Sequence, residues 1–104
     1  MAGKKVEFEG KIKIKDDFNA KNLLQLLKYL SDELGFTIKK LESDEIKLIK
    51  NEFMQEAEGD LEITKSNINV EIEIEVSDHD VEVEVKSESF DLVKSLTLTI
   101  AEKL

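Results

Sequence analysis

The stretch NVEIEIEVSDHDVEVEVKSE, Asn69 to Glu88, constrains this chain more than any other. Val70, Ile72, Ile74 and Val76 alternate with Glu71, Glu73 and Glu75. Beyond Asp78-His79, Val81, Val83 and Val85 alternate with Glu82 and Glu84. A period of two belongs to a strand with one buried face. A two-residue turn at Asp78-His79 pairs Val76 with Val81 and keeps both apolar sets on one face. The same register sets Glu75 opposite Glu82 and Glu73 opposite Glu84; only Glu71 meets a lysine, Lys86. Like charges directly opposite are destabilising, where favourable cross-strand pairs contribute roughly 0.2–1 kcal/mol. Burying a Val or Ile side chain gains roughly 1.5–3 kcal/mol each. The hairpin therefore survives the repulsion, and the glutamates still need an explanation.

The rest of the chain supplies partners for this hairpin. In KKVEFEGKIKIKDD, Val6, Phe8, Ile12 and Ile14 share a face with Gly10, and Glu7, Glu9, Lys11, Lys13 and Lys15 share the other, so a half-buried strand is expected. Gly10 at the change of charge sign predicts a bulge or bend. FNAKNLLQLLKYLSDELG places Leu23, Leu26, Leu27, Leu30 and Leu34 on one helical stripe. Asn19 is the expected N-cap, Phe18 a hydrophobic staple on Leu23, and Gly35 a left-handed C-cap. Four short strands are then expected at Phe36–Leu41, Glu45–Lys50, Glu52–Glu58 and Asp60–Lys65. They are separated by Glu42-Ser43-Asp44, Asn51 and Gly59, with a further break at Ser66-Asn67 before the long hairpin. In the tail, Leu96, Leu98 and Ile100 alternate as in a strand, but Phe90, Val93, Leu96, Ile100, Ala101 and Leu104 fall within one helical arc, and this stripe, which takes in more residues, makes a helix the expectation. Ser87 or Ser89 would cap that helix, with Asp91 in the first turn and Lys103 in the last. The expected fold is a single α+β domain over residues 1–104: a curved antiparallel sheet of six or seven strands, in the order strand, helix, five or six strands, helix, with the helices on one face.

Charge and composition bound the partners. The net charge is −9 with no arginine, no cysteine and no proline. Residues 1–50 carry 11 Lys and 9 Asp or Glu, whereas residues 51–104 carry 4 Lys and 15 Asp or Glu. That sign argues against nucleic acid and anionic membranes, which require basic surfaces. Without cysteine there is no disulfide framework and no thiolate site, and Met1–Gly10 has no apolar signal core, so a soluble cytoplasmic protein is expected. Abundant Lys and Glu give a thermophile-like composition.

Three roles are open to the glutamate ladder. It is a solvated, solubilising face; or it is compensated internally, by Lys11, Lys13 and Lys15 if the first strand lies beside residues 80–86; or it binds a basic partner through Glu71, Glu73, Glu75, Glu82 and Glu84. The interaction reading is compatible with homodimerisation.

The element order also resembles that of helix-grip domains of the START type and the half-repeat of TATA-binding proteins. The resemblance rests on the order of strand, helix, antiparallel run and C-terminal helix, and no motif accompanies it. It implies that the first strand neighbours the last, and that an apolar small molecule is held between sheet and C-terminal helix. The lining would be Ile72, Ile74, Val83, Val85, Phe90, Val93, Leu96 and Ile100. The alternative is that these residues simply form the core.

Chemistry-bearing motifs are absent from the sequence. His79, between Asp78 and Asp80, is the one histidine, and neighbouring side chains in an extended stretch alternate in direction and do not converge on a metal. No nucleophile-elbow sequence or phosphate-binding glycine loop occurs. No catalytic, cofactor-binding or metal-binding residues are expected, and the chain reads as a non-enzymatic binding module.

Overall fold

The alternating hairpin forms two neighbouring strands in the expected register. The computed structural model describes residues 6–15, 19–58, 63–77 and 80–104, with backbone alone over 51–58 and 63–68. Its elements are β1 (Phe8–Lys15), α1 (Ala20–Lys28), β2 (Thr37–Leu41), β3 (Glu45–Glu58), β4 (Ile63–Val76), β5 (Asp80–Ser87) and α2 (Phe90–Lys103). The strands form one open antiparallel sheet in the order β1-β5-β4-β3-β2. Val76 pairs with Val81, Glu75 with Glu82, Glu73 with Glu84 and Glu71 with Lys86. The backbone N–H of Ser77 donates to the Asp80 carbonyl at 2.9 Å and closes the hairpin. Asp78 and His79, expected at the turn, lie outside the described residues.

Five strands replace the six or seven expected, because two pairs of short strands are continuous. Asn51 does not end a strand; it falls within a register shift between Lys50 and Phe53, where an irregularity of the bulge type takes up a residue without breaking the ladder. Ser66 and Asn67 pair with Gln55 and Met54, so a neighbouring strand overrides their preference for turns. The expected break at Gly59 lies outside the described residues, as do Asp60 and Leu61 of the expected fourth short strand. β2 pairs with β3 only at Thr37–Leu41, and β5 reaches along β4 only to Val70. Residues 53–58 and 63–68 therefore run on as a two-stranded ribbon, and the molecule measures 51 × 28 × 22 Å.

Both helices contribute to one core. Leu23, Leu26, Leu27 and Leu30 of the first helix join Val93, Leu96 and Ile100 of α2 over Ile46, Leu48, Val70, Ile72, Ile74, Val81, Val83 and Val85 of the sheet. Asn19 caps α1, its Oδ1 accepting from Lys21 N at 2.9 Å; Phe18, the expected staple, lies outside the described residues. The helix widens after Lys28 into one π-helical turn, Tyr29–Glu33, where Leu34 N reaches back to the Tyr29 carbonyl at 3.2 Å. Gly35 then takes φ 74° and Phe36 N donates to the Leu30 carbonyl, the left-handed exit that a residue without Cβ makes cheaply. Ser89 caps α2, accepting from Leu92 N at 3.3 Å; Ser87 Oγ instead accepts from Ser89 N and donates to the Asn69 carbonyl. Lys103 extends over the Tyr29 ring at 4.1 Å and ties the two helices.

Two expected roles change. Gly10 makes no bulge, since the β1–β5 register is unbroken from Phe8–Ser87 to Lys15–Asp80. It is a close-approach point: a Cβ there would collide with Thr97 Oγ1 of α2 and lie 3.1 Å from Val93 Cγ1. Phe90 and Ala101 leave the buried stripe. Phe90 is 56% exposed because it opens the helix at the rim of the sheet, where it meets Phe8 edge to face with ring centroids 5.5 Å apart.

Candidate functional site

The face of the sheet opposite the helices collects the charges, and the registers order them into rows. One row runs Glu9, Lys86, Glu71 across β1, β5 and β4. The next runs Lys11, Glu84, Glu73, Lys47, and the third Lys13, Glu82, Glu75, Glu45, each reaching β3. The first strand does lie beside residues 80–86, as internal compensation requires, but the compensation is uneven.

In the middle row Glu84 is gripped from two sides. Lys86 Nζ lies 3.0 Å from its Oε1 and Lys11 Nζ 3.5 Å from its Oε2. The Lys86 hydrogen bond, reinforced by both ammonium charges, holds the Glu84 carboxyl below the usual range and raises Lys86. Its neighbour Glu73 is pushed the other way. Burial raises its pKa, the nearby Glu45 and Glu75 add to the rise, and Lys47 only partly offsets it. Lys47 sits opposite Glu73 in the register, yet its Nζ lies 3.9 Å from Glu45 Oε1. Glu45 is bound chiefly by Lys40, at 3.0 Å, and that hydrogen bond lowers its pKa and raises that of Lys40.

The third row is the acidic corner. Lys13 faces Glu82 in the register but turns to Asp80, 3.9 Å away. Among the described residues, no lysine reaches Glu75 or Glu82 within ion-pair distance. A depression of about 330 Å³ opens here, between the β4–β5 turn and the start of β3. Its charged lining is Lys13, Asp44, Glu45, Glu75, Asp80 and Glu82. Glu75 is exposed, and Glu71, Glu73, Glu82 and Glu84 are half-buried by their neighbours.

Asp44 and Glu45 were not among the residues the sequence pointed to. Glu45 carries the right signal, because it alternates with Ile46 and Leu48 as the β4 glutamates do with their apolar neighbours. Its position opposite Glu75 is set by the offset of β3 on β4, which no local pattern states.

The expected ligand-lining residues occupy a different layer. Ile72, Ile74, Val83, Val85, Val93, Leu96 and Ile100 are buried together in the core. Three pockets formed by described residues are lined elsewhere: at the acidic corner, between the central glutamates, and along the outer side of the first helix. Among the described residues, no group of three or more His, Cys, Asp or Glu is arranged to hold a metal ion, and no helix is long and apolar enough to cross a membrane.

Compared with protein-family models, curated proteins and solved structures, the chain matches none.

Proposed function

We propose that the chain is a non-enzymatic cytoplasmic interaction module whose acidic corner receives a basic protein segment. The observation that carries this reading is the pairing of Glu75 with Glu82 beside Glu45 and Asp80, at a concave site where Lys13 is the one cationic lining residue among the described residues. Elsewhere on the same face the sheet supplies its own lysines. Here it leaves carboxylates facing one another, an arrangement that favours an incoming ammonium or guanidinium group over another part of the same chain. Glu73 is the third contact, since a cation beside it relieves the burial of its charge. Glu84, held by Lys86 and Lys11, flanks the site, and Glu71 lies opposite Lys86 in the register.

Titration of a lysine- and arginine-rich peptide into the protein tests this reading. Binding that weakens steeply with salt, and is lost in Glu75→Gln/Glu82→Gln while Glu71→Gln retains it, is the expected result. Equal loss from all three positions would show a diffuse charge effect and remove the corner as a site. Absence of binding at low salt would remove the reading altogether.

A further inference from the structure

β1 is an edge of the sheet, hydrogen-bonded to β5 on one side with no strand on its other side among the described residues. Such an edge presents a row of unpaired backbone donors and acceptors. Edge lysines often discourage pairing, so the order of charges along the strand decides what it accepts. On β1 and its approach, Glu7 and Glu9 precede Gly10 on the outer face, and Lys11, Lys13 and Lys15 follow it. The strand is negative in its first half and positive in its second. An antiparallel copy of itself has the reverse order.

We propose that β1 pairs with β1 of a second copy, antiparallel about a two-fold axis at Gly10, and joins two sheets into one of ten strands. This register sets Glu9 opposite Lys11 of the second copy and Glu7 opposite Lys13 of the second copy, each twice by symmetry. Centring the axis on Phe8, Glu9, Lys11 or Ile12 instead places like charges opposite each other. Only the Gly10 register, among these, has none over residues 6–14. It also continues the rows of the outer face. Glu84 and Lys11 are followed by Glu9, Lys86 and Glu71 of the second copy, so the signs alternate through the junction.

The inner face agrees. Val6 is 60% exposed, Phe8 36% and Phe90 56%, leaving an apolar rim along the edge. The two-fold register puts Phe8 opposite Ile12 of the second copy and Val6 opposite Ile14 of the second copy. The opposite edge exposes Ile38 and Leu41 but lacks this order of charges. β2 is five residues long, carries adjacent Lys39 and Lys40, and shifts register between Ile38 and Lys40.

The test is sedimentation equilibrium and native mass spectrometry of the full chain, with Glu9→Lys and Lys11→Glu measured alone and mixed. The wild type is expected to dimerise. Each variant alone sets like charges across the axis and should associate about tenfold more weakly or less. The equimolar mixture restores every opposite-charge pair and should form a heterodimer of wild-type strength. Far-UV circular dichroism shows whether each variant is folded, and rescue on mixing requires that both are. A monomeric wild type, a dimer indifferent to both substitutions, or variants that fold but do not recover on mixing would each overturn the proposal.

Discussion

The two faces of the sheet share the same strands and differ in what holds them. On the inner face, Ile72, Ile74, Val81, Val83 and Val85 are completely buried beneath two helices. On the outer face, the residues between them are charged, half-exposed, and paired in some rows but not in others. Apolar contact is non-directional and grows with area, so every inner position contributes. Charge contacts near water are weak individually and depend on which neighbour is close. The inner face therefore sets stability, and the outer face sets which surfaces the protein tolerates beside it. A change of one carboxylate can redirect the outer face while leaving the fold in place.

The sharpest break in that contrast is Ile74→Ala. With Ile74 fully buried, the loss of side-chain burial and the cavity left behind should cost about 2–5 kcal/mol, read as a lower urea midpoint with unchanged slope. Gly10→Ala comes next, at about 1–3 kcal/mol from overpacking, because the new methyl meets Thr97 and Val93. Thr97→Ala removes the nearer obstacle together with a buried hydroxyl that has no hydrogen-bond partner among the described residues. A double-mutant cycle should therefore show Gly10→Ala to be milder in the Thr97→Ala background; strictly additive losses would dismiss the contact.

Smaller effects come from the outer face, and two facing glutamates should differ in sign. The Glu84 pKa is lowered in the fold, so its contribution is present above the unfolded carboxylate pKa and is lost as pH falls through the folded value. Glu84→Gln should destabilise by less than about 1 kcal/mol near neutral pH, with the gap to wild type closing on acidification. The Glu73 pKa is raised, so its contribution is present below the unfolded pKa and is lost as pH rises through the raised folded value. Glu73→Gln should therefore raise the melting temperature slightly near neutral pH and leave it unchanged in acid. Thermal melts at two pH values separate the cases; shifts of the same sign would mean that the lysines do not distinguish the two carboxylates.

The features legible in the sequence are those with a local cause. The β4–β5 register follows from an alternation that admits one pairing, and the caps at Asn19 and Gly35 follow from local chemistry at each helix end, which left the α2 cap between Ser87 and Ser89 for the fold to decide in favour of Ser89. Strand continuity through Asn51, Ser66 and Asn67 was not legible, because a neighbouring strand outweighs the turn preference of a few polar residues. Gly10 misled for the same reason: its need for a missing side chain comes from Thr97, far along the chain, and not from its own strand. The glutamate face could be read from alternation, and the neighbourhood of β1 and β5 from the lysine period. The acidic corner could not, since it depends on the offset that brings Glu45 beside Glu75.

The pairing of β1 with β5 also orders events in time. On the ribosome, the segment that becomes β1 emerges well before residues 80–87, with which it pairs. Ile12 meets Val83, and at about 5–20 residues per second the nascent strand waits for several seconds. β4 and β5, adjacent in sequence, can zip as soon as both are out. β1 is thus a late arrival despite being an early product, and its long loop closure slows folding relative to the local hairpins. During that interval its alternating charges keep an unpaired strand in solution.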